Sequence, residues 1–382
     1  MEVKKGYKQT ELGVIPEDWD VKTVEEIAPL QRGFDLPNSD LRLGPYPVVY
    51  SNGIVNYHNK YQANCPGIVT GRSGTIGKVT YVSEKYWPHN TSLWVTSFID
   101  SNPKYVYYLF NSIKLERFAT GSGVPTLNRK DVHDFLVCVP PLPEQKAIAT
   151  ALSDMDALIA QTEKLIEKKK AMKQGMMQEL LKPKKGWVTK KLVEIGTFSK
   201  GSGINKDLAA SGDIRCIRYG ELYTKHHNYI RTFYSYISKD VATTAKRIKT
   251  GDILFAGSGE TKSEIGKCVA YLHDYLAYAG SDIVILTPNY VNSLFLGFLL
   301  NDAKIQKQKA SRGQGDAVVH ISAKQLGTIS IHIPPIREQE DIGRTLRDMD
   351  ESIYQSEIQL KKLNATKQGM MQELLTGRIR LL

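Results

Sequence analysis

Cysteine is scarce in this chain of 382 residues, with four in all, Cys65, Cys138, Cys216 and Cys268, far apart and without a C-x-x-C pair. That spacing excludes a disulfide scaffold and a zinc ribbon, and predicts isolated buried thiols in a reducing compartment. Long apolar runs are absent too. The greasiest short run, 294–300, falls far below the roughly 18 residues a membrane helix needs. The segment from Met1 to Leu12 is polar and charged and has no apolar signal core. These absences predict a soluble, cytoplasmic protein with no membrane contact. Acidic residues are in deficit, 40 against 51 Lys+Arg, for a formal net charge of +11. An excess of that sign points, weakly by itself, to a polyanionic partner.

Catalytic signatures are missing as well. A phosphate-cradling G-x-x-x-x-G-K would need glycine where Arg72 and Thr261 stand, so neither I-G-K site qualifies. Gly121-Ser-Gly is too short for a dinucleotide fingerprint. An amino-methyltransferase would place Asp or Asn before Pro-Pro-aromatic, but Val139 and Ile333 precede the two Pro-Pro pairs here, and Leu142 and Ile336 follow them. The eight histidines have no metal-ligand spacing, and the one adjacent pair, His226–His227, reads as a solvated loop. A self-contained enzyme is therefore disfavoured.

What the chain does have is a duplication. A hydrophobic fraction of 41% supports buried cores, and the length allows two to three domains. Residues 140–181 and 334–375 align without a gap at a constant offset of 194, with 23 of 42 positions identical. Both copies end in the same block, K-Q-G-M-M-Q-E-L-L, at 173–181 and 367–375. A fainter echo precedes each copy. Trp19, Lys22, Glu26, Ile27 and Gly33 match Trp187, Lys190, Glu194, Ile195 and Gly201. Gly71, Ser73 and Gly74 followed by Ile76-Gly77-Lys78 echo Gly257, Ser258 and Gly259 followed by Ile265-Gly266-Lys267, and Gly121 and Gly123 echo Gly313 and Gly315. The expected divisions are globular parts at 1–139 and 185–333 and helical parts at 140–184 and 334–382.

Each helix should start just after its Pro-Pro pair. Ile148, Leu152, Met155, Ile159, Thr162, Ile166, Lys169, Lys173, Met176 and Leu180 alternate by four and three. Ile342, Leu346, Met349, Ile353, Ser356, Leu360, Leu363, Lys367, Met370 and Leu374 keep the same frame. Two matched heptad seams in one chain favour mutual pairing, and the topology makes that pairing antiparallel. About 38 residues at a rise of 1.5 Å would give a rod of ~57 Å. Gly175 and Gly369 are candidates for a kink or a close helix contact.

The globular parts read as α+β. Strands are expected at 46–50, 67–70, 78–82 and 92–97, and at 214–219, 252–256, 267–272 and 283–287, with helices at 103–111 and 292–303. Their glycine loops carry groups suited to phosphates and base edges. In the first part these are Arg72, Ser73, Thr75 and Lys78; in the second, Ser258, Glu260, Thr261, Lys262, Ser263 and Lys267. Further basic clusters are Lys225, His226, His227 and Arg231; Lys246, Arg247 and Lys249; and Lys304, Lys307, Lys309 and Arg312.

On these features the chain resembles the specificity subunit of type I restriction–modification systems. The resemblance covers the whole chain, from E-L-G-V-I-P-E-D-W ending at Trp19, through G-S-G-V-P-T-L-N ending at Asn128 and the two P-P-x-x-E-Q helices, to L-T-G-R ending at Arg378. It implies two similar α/β target recognition domains joined by two long helices in an antiparallel coiled coil, with pseudo-two-fold symmetry. Each domain would read half of a bipartite double-stranded DNA target, with Arg312 added to the contact residues, and the helices would fix the unread gap. Two modification (methyltransferase) subunits and two restriction subunits would be the partners. S-adenosylmethionine, ATP and magnesium would belong to those partners and not to this chain. The duplicated block would dock the modification subunits through Lys173, Gln174, Met176 and Met177 and through Lys367, Gln368, Met370 and Met371. A coiled-coil protein adaptor that binds no DNA is the competing class.

Overall fold

The structure, a computed structural model, describes residues 5–121, 123–315 and 318–381; Ser122, in the expected glycine run, lies outside the described residues. The chain forms two compact units. Unit 1 comprises residues 1–164 and 357–382, and unit 2 residues 165–356. Each unit therefore combines one globular part with one end of each long helix, and the boundaries fall inside the helices and not at the Pro-Pro pairs.

The central sheets of the two units share a strand order. In unit 1 it runs Leu30–Arg32, Ser92–Val95, Gly67–Gly71, Val79–Val82. In unit 2 it runs Gly196–Lys200, Ile283–Pro288, Ile253–Ala256, Cys268–Ala270, followed by Asn228–Tyr229. All pairs common to the two sheets are antiparallel. The strand entering each helix also has a matched partner: Leu136–Val139 pairs with Asp20–Thr23, and Ser330–Ile333 with Val188–Lys191. Strong β-formers in short, continuously buried runs (I-L-F-A, I-V-I-L) make the inner strands of unit 2, and Y-P-V-V-Y makes the middle strand of a separate three-stranded sheet in unit 1. Several bounds shift: the strands expected at 92–97 and 267–272 are the shorter Ser92–Val95 and Cys268–Ala270. The strand begun at Ile214 ends at Ile217, because a helix starts at Tyr219. The helix expected over 292–303 is two helices, Ser293–Leu299 and Ala303–Ala310, the second capped by Asp302.

The long helices run over Leu142–Leu180 and Ile336–Leu374, each starting one residue past its Pro-Pro pair. The repeated E-Q that follows is a junction. Gln145 Oε1 accepts the backbone N–H of Asn102 at 2.8 Å, while its Nε2 donates to the Pro140 carbonyl at 3.0 Å. Gln339 does the same with Asn292 and Pro334, at 2.8 Å each. Asn102 and Asn292 are themselves helix N-caps, accepting from Tyr105 and Phe295. One glutamine thus ties a globular helix start to a long-helix start in each unit.

The seam positions are largely buried. Ile148 and Leu152 join the unit 1 core of Trp19, Tyr105 and Phe110, to which the other long helix contributes Leu374 and Leu375. Ile342 and Leu346 join Phe255, Phe295 and Phe298 in unit 2, with Leu181 from the first helix. Met176 departs from the expected seam. It is exposed, and Met177 packs on the core in its place. Polar contacts link the helices inside each unit. Lys367 Nζ lies 2.5 Å from Asp156 in unit 1. In unit 2 Lys173 pairs with Asp350, and Lys169 Nζ donates to Ser356 Oγ at 2.9 Å. Gly175 and Gly369 are not close contacts: a Cβ on either would meet nothing within 4 Å, and both helices run through them.

Burial also corrects three expectations. Cys65 is exposed, whereas Cys216 and Cys268 are buried. His226 is buried, with Nε2 3.9 Å from Glu221, because the chain turns inward after the helix Tyr219–Thr224; only His227 stays exposed. Lys309, expected in a surface cluster, has no solvent exposure. Among the described residues no helix is long and apolar enough to cross a membrane.

Candidate nucleic-acid interface

The glycine loops lie at corresponding positions of the two units. In unit 1 the loop 72–78 joins the strands Gly67–Gly71 and Val79–Val82. Its register is set by glycine: a Cβ on Gly71 would stand 1.7 Å from the Thr75 carbonyl oxygen. The loop is clamped from two sides. The Thr91 carbonyl accepts the amides of Arg72 and Ser73 at 2.9 and 3.1 Å. The second glycine run supplies the other clamp. Leu127 N donates to the Arg72 carbonyl at 2.7 Å, Gly74 N donates to Pro125 at 3.1 Å, and Ser73 bridges Thr126.

Unit 2 repeats the arrangement. Gly257 N donates to the Asp282 carbonyl at 2.7 Å, and Ile321 N to the Gly257 carbonyl at 2.9 Å. Ser258 and Gly259 pair with His320 and Val319. The first glycine loop and the segment that follows the second glycine run are therefore neighbours in space in both units. The contacts equate Gly257 with Arg72, and not with Gly71 as the sequence echo suggests, and Ser258 with Ser73, so the basic residue that begins the first loop has no counterpart in the second.

The expected contact residues separate into two groups. Thr75 and Lys78 are exposed, as are Glu260, Thr261, Lys262 and Ser263 at the apex of the second loop. Arg72 and Ser73 are half-buried. Others are held inward. Ser258 is buried, with Oγ 2.9 Å from His320 Nδ1. Lys267 Nζ donates to the Tyr223 carbonyl at 2.9 Å, and burial lowers its pKa. Arg312 donates to Thr328 Oγ1 at 2.8 Å and to the Gln308 carbonyl at 2.7 Å, fastening the base of the second glycine run. The buried Lys309 donates to the Gly266 carbonyl at 2.7 Å from beneath the loop.

Sequence reading missed the residues that brace these loops. Tyr223 donates its hydroxyl to the Ser258 carbonyl at 3.0 Å. Thr91 and Asp282, equivalent in position, supply the carbonyl clamps. Neither carries a motif; strand pairing alone brings them there. Beside the second loop a cleft of about 860 Å³ is lined by Ser199, Lys200, Asp282, Gln314, His320 and Lys324. It mixes hydroxyl, amide, imidazole and ammonium groups with the Asp282 carboxylate, which lies 3.9 Å from Lys200 Nζ.

The duplicated block was expected to dock partners, and the structure places its residues as follows. Lys173 and Lys367 are ion-paired to the opposite helix within their units, and Met177, Met370 and Met371 pack on the cores. Gln174, Met176 and Gln368 are exposed.

Comparison with known proteins agrees with this duplicated plan. A solved type I restriction–modification S subunit from M. genitalium superposes with a TM-score of 0.66 over 98% of both chains, at 15% identity. The MjaVIII type I restriction enzyme specificity subunit of Methanocaldococcus jannaschii is 26% identical over 72% of this chain and 70% of its own length. A second chain of that organism, assigned to the MjaX type I enzyme as its specificity subunit, is 24% identical over 99% of this chain and 97% of its own. The model of the type I restriction modification DNA specificity domain matches twice, at residues 16–170 and 184–364, once for each globular part with most of the helix that follows it. The chain belongs to the type I restriction–modification DNA specificity family.

Proposed function

We propose that this chain is the DNA-recognition subunit of a type I restriction–modification complex, without catalysis of its own, and that each unit reads one half of a bipartite, asymmetric double-stranded target. The observation that carries this reading is the recurrence of one loop scaffold with two sets of exposed side chains: Thr75 and Lys78 in unit 1, Glu260, Thr261 and Lys262 in unit 2. One frame with different reading groups suits two unlike half-sites.

The helices would fix the unread gap. Under the offset of 194, Asp156 corresponds to Asp350 and Lys173 to Lys367, so the ion pair of one unit is that of the other with the helices exchanged. That reciprocity supports an antiparallel coiled coil with pseudo-two-fold symmetry. Two modification subunits would dock on the duplicated blocks, using the exposed Gln174, Met176 and Gln368. Two restriction subunits would complete the nuclease. S-adenosylmethionine, ATP and magnesium would act in those partners.

Long-read methylome mapping of cells with and without the gene, all subunits being expressed, tests the reading. Loss of one bipartite methylated motif is expected, and an unchanged methylome refutes it. In the assembled complex, Arg72→Ala is expected to lower methylation on the order of 10-fold without unfolding the chain.

A further inference from the structure

We propose that the turn at residues 51–53 belongs to the DNA-reading surface of unit 1, and that Asn52 is a specificity-determining residue within it. The inference rests on the reading above and deepens it. The turn closes the hairpin of strands Tyr46–Tyr50 and Gly53–His58 and carries no motif. It is built into the loop cluster nonetheless. Lys78 Nζ donates to the Asn52 carbonyl at 2.5 Å. Ser51 N lies 3.4 Å from Thr91 Oγ1, the residue whose carbonyl holds Arg72 and Ser73.

Close approach makes the arrangement specific. A Cβ on Gly53, whose φ is +108°, would stand 2.9 Å from Lys78 Nζ, and one on Gly71 would stand 3.1 Å from the Ser51 carbonyl oxygen. Turn and loop, which come from two different sheets, are thus pressed together, with Asn52, Thr75 and Lys78 all exposed. Lys78, exposed in the loop, holds the turn as well, since its ammonium donates to the Asn52 backbone carbonyl. That leaves the Asn52 side chain outward, with an amide donor and a carbonyl acceptor side by side. This pair matches the N6 donor and N7 acceptor of adenine in the major groove, a contact that discriminates between bases strongly enough to change a recognition motif.

The test uses the complete system. Asn52→Ala and Asn52→Asp are expressed with all partner subunits, beside wild type and Arg72→Ala, and methylation is mapped by long-read sequencing with assembly checked by co-purification. The expected result is relaxation at one position of one half-site, with discrimination falling on the order of 10-fold. The other half-site and the gap stay unchanged. An unaltered motif and rate in both Asn52 variants, while Arg72→Ala lowers methylation, overturns the proposal and leaves the loop reading standing. Unaltered methylation in all three overturns both.

Discussion

Lys309 is the side chain whose placement most contradicts its type, and it carries a quantitative prediction. It sits on the helix Ala303–Ala310 with no solvent exposure, and its ammonium donates to the carbonyl of Gly266, a residue with φ +71° in the second glycine loop. Burial drives its pKa from 10.5 down to about 8. Because the folded value is the lower one, the unfolded chain binds more protons between pH 8 and 10.5. Unit 2 therefore gains stability as pH rises through that window, by about 3 kcal/mol in full and about 1 kcal/mol between pH 7 and 9. Lys309→Met removes the desolvated charge and keeps the aliphatic volume. It also leaves the Gly266 carbonyl without its donor, at a cost of about 1–3 kcal/mol, so the two effects nearly cancel at pH 7. The buried Cys268 thiol, pushed up to about 11, works in the opposite sense; the Lys309 charge holds it down, so Lys309→Met pushes it higher still, but the folded thiol stays protonated at pH 7–9 in both proteins and the difference is little changed. Pulse proteolysis across a urea series, scored on fragments of residues 185–333 at pH 7 and 9, measures that difference. Wild type should gain about 1 kcal/mol on the variant between the two pH values. Parallel behaviour of wild type and variant would refute a protonated, buried Lys309.

Two further perturbations address the junctions. Arg380 donates to Glu144 at 2.8–3.1 Å and to Asp18 at 2.8 Å, while Trp19 Nε1 donates to Glu144 at 2.9 Å. Glu144 is fully buried, so Arg380→Ala strands a carboxylate and should cost unit 1 about 3 kcal/mol, read as a urea midpoint shift in unit 1 fragments and none in unit 2. Gln145→Ala and Gln339→Ala each free an Asn backbone N–H and a Pro carbonyl. Each should cost its own unit about 1–3 kcal/mol, and hydrogen exchange at Asn102 or Asn292 should rise only in the unit mutated.

The duplication, the helix starts and most strands were legible in the sequence because they rest on period and punctuation. A heptad seam and a Pro-Pro stop are local signals, and Leu142 and Ile336 follow directly from them. The glycine runs were legible as loops for the same reason. What escaped was whatever depends on the third dimension. Thr91, Asp282 and Tyr223 brace the loops through strand order, which no local pattern encodes. Lys309 and His226 looked like surface residues by type, and only packing of their elements buries them. Met176 is the one expected seam position of the first helix that is exposed: Met177 packs on the unit 2 core in its place, while Leu180 keeps the expected frame.

The repeated P-P-x-x-E-Q now has a physical meaning separate from DNA. In each unit its glutamine holds a globular helix cap against the start of a long helix through two hydrogen bonds, next to a proline stop. The glutamate is used differently. Glu144 takes Arg380 and Trp19, whereas Glu338 meets Lys184 at 3.4 Å and the Trp187 indole N–H has no partner among the described residues. A duplicated motif has therefore kept one contact strictly and let the other drift. The conserved-in-place contact is the one that joins cap to helix, and a protein whose two units must present unlike loops in a constant pose would be expected to hold that contact fixed while the loops change.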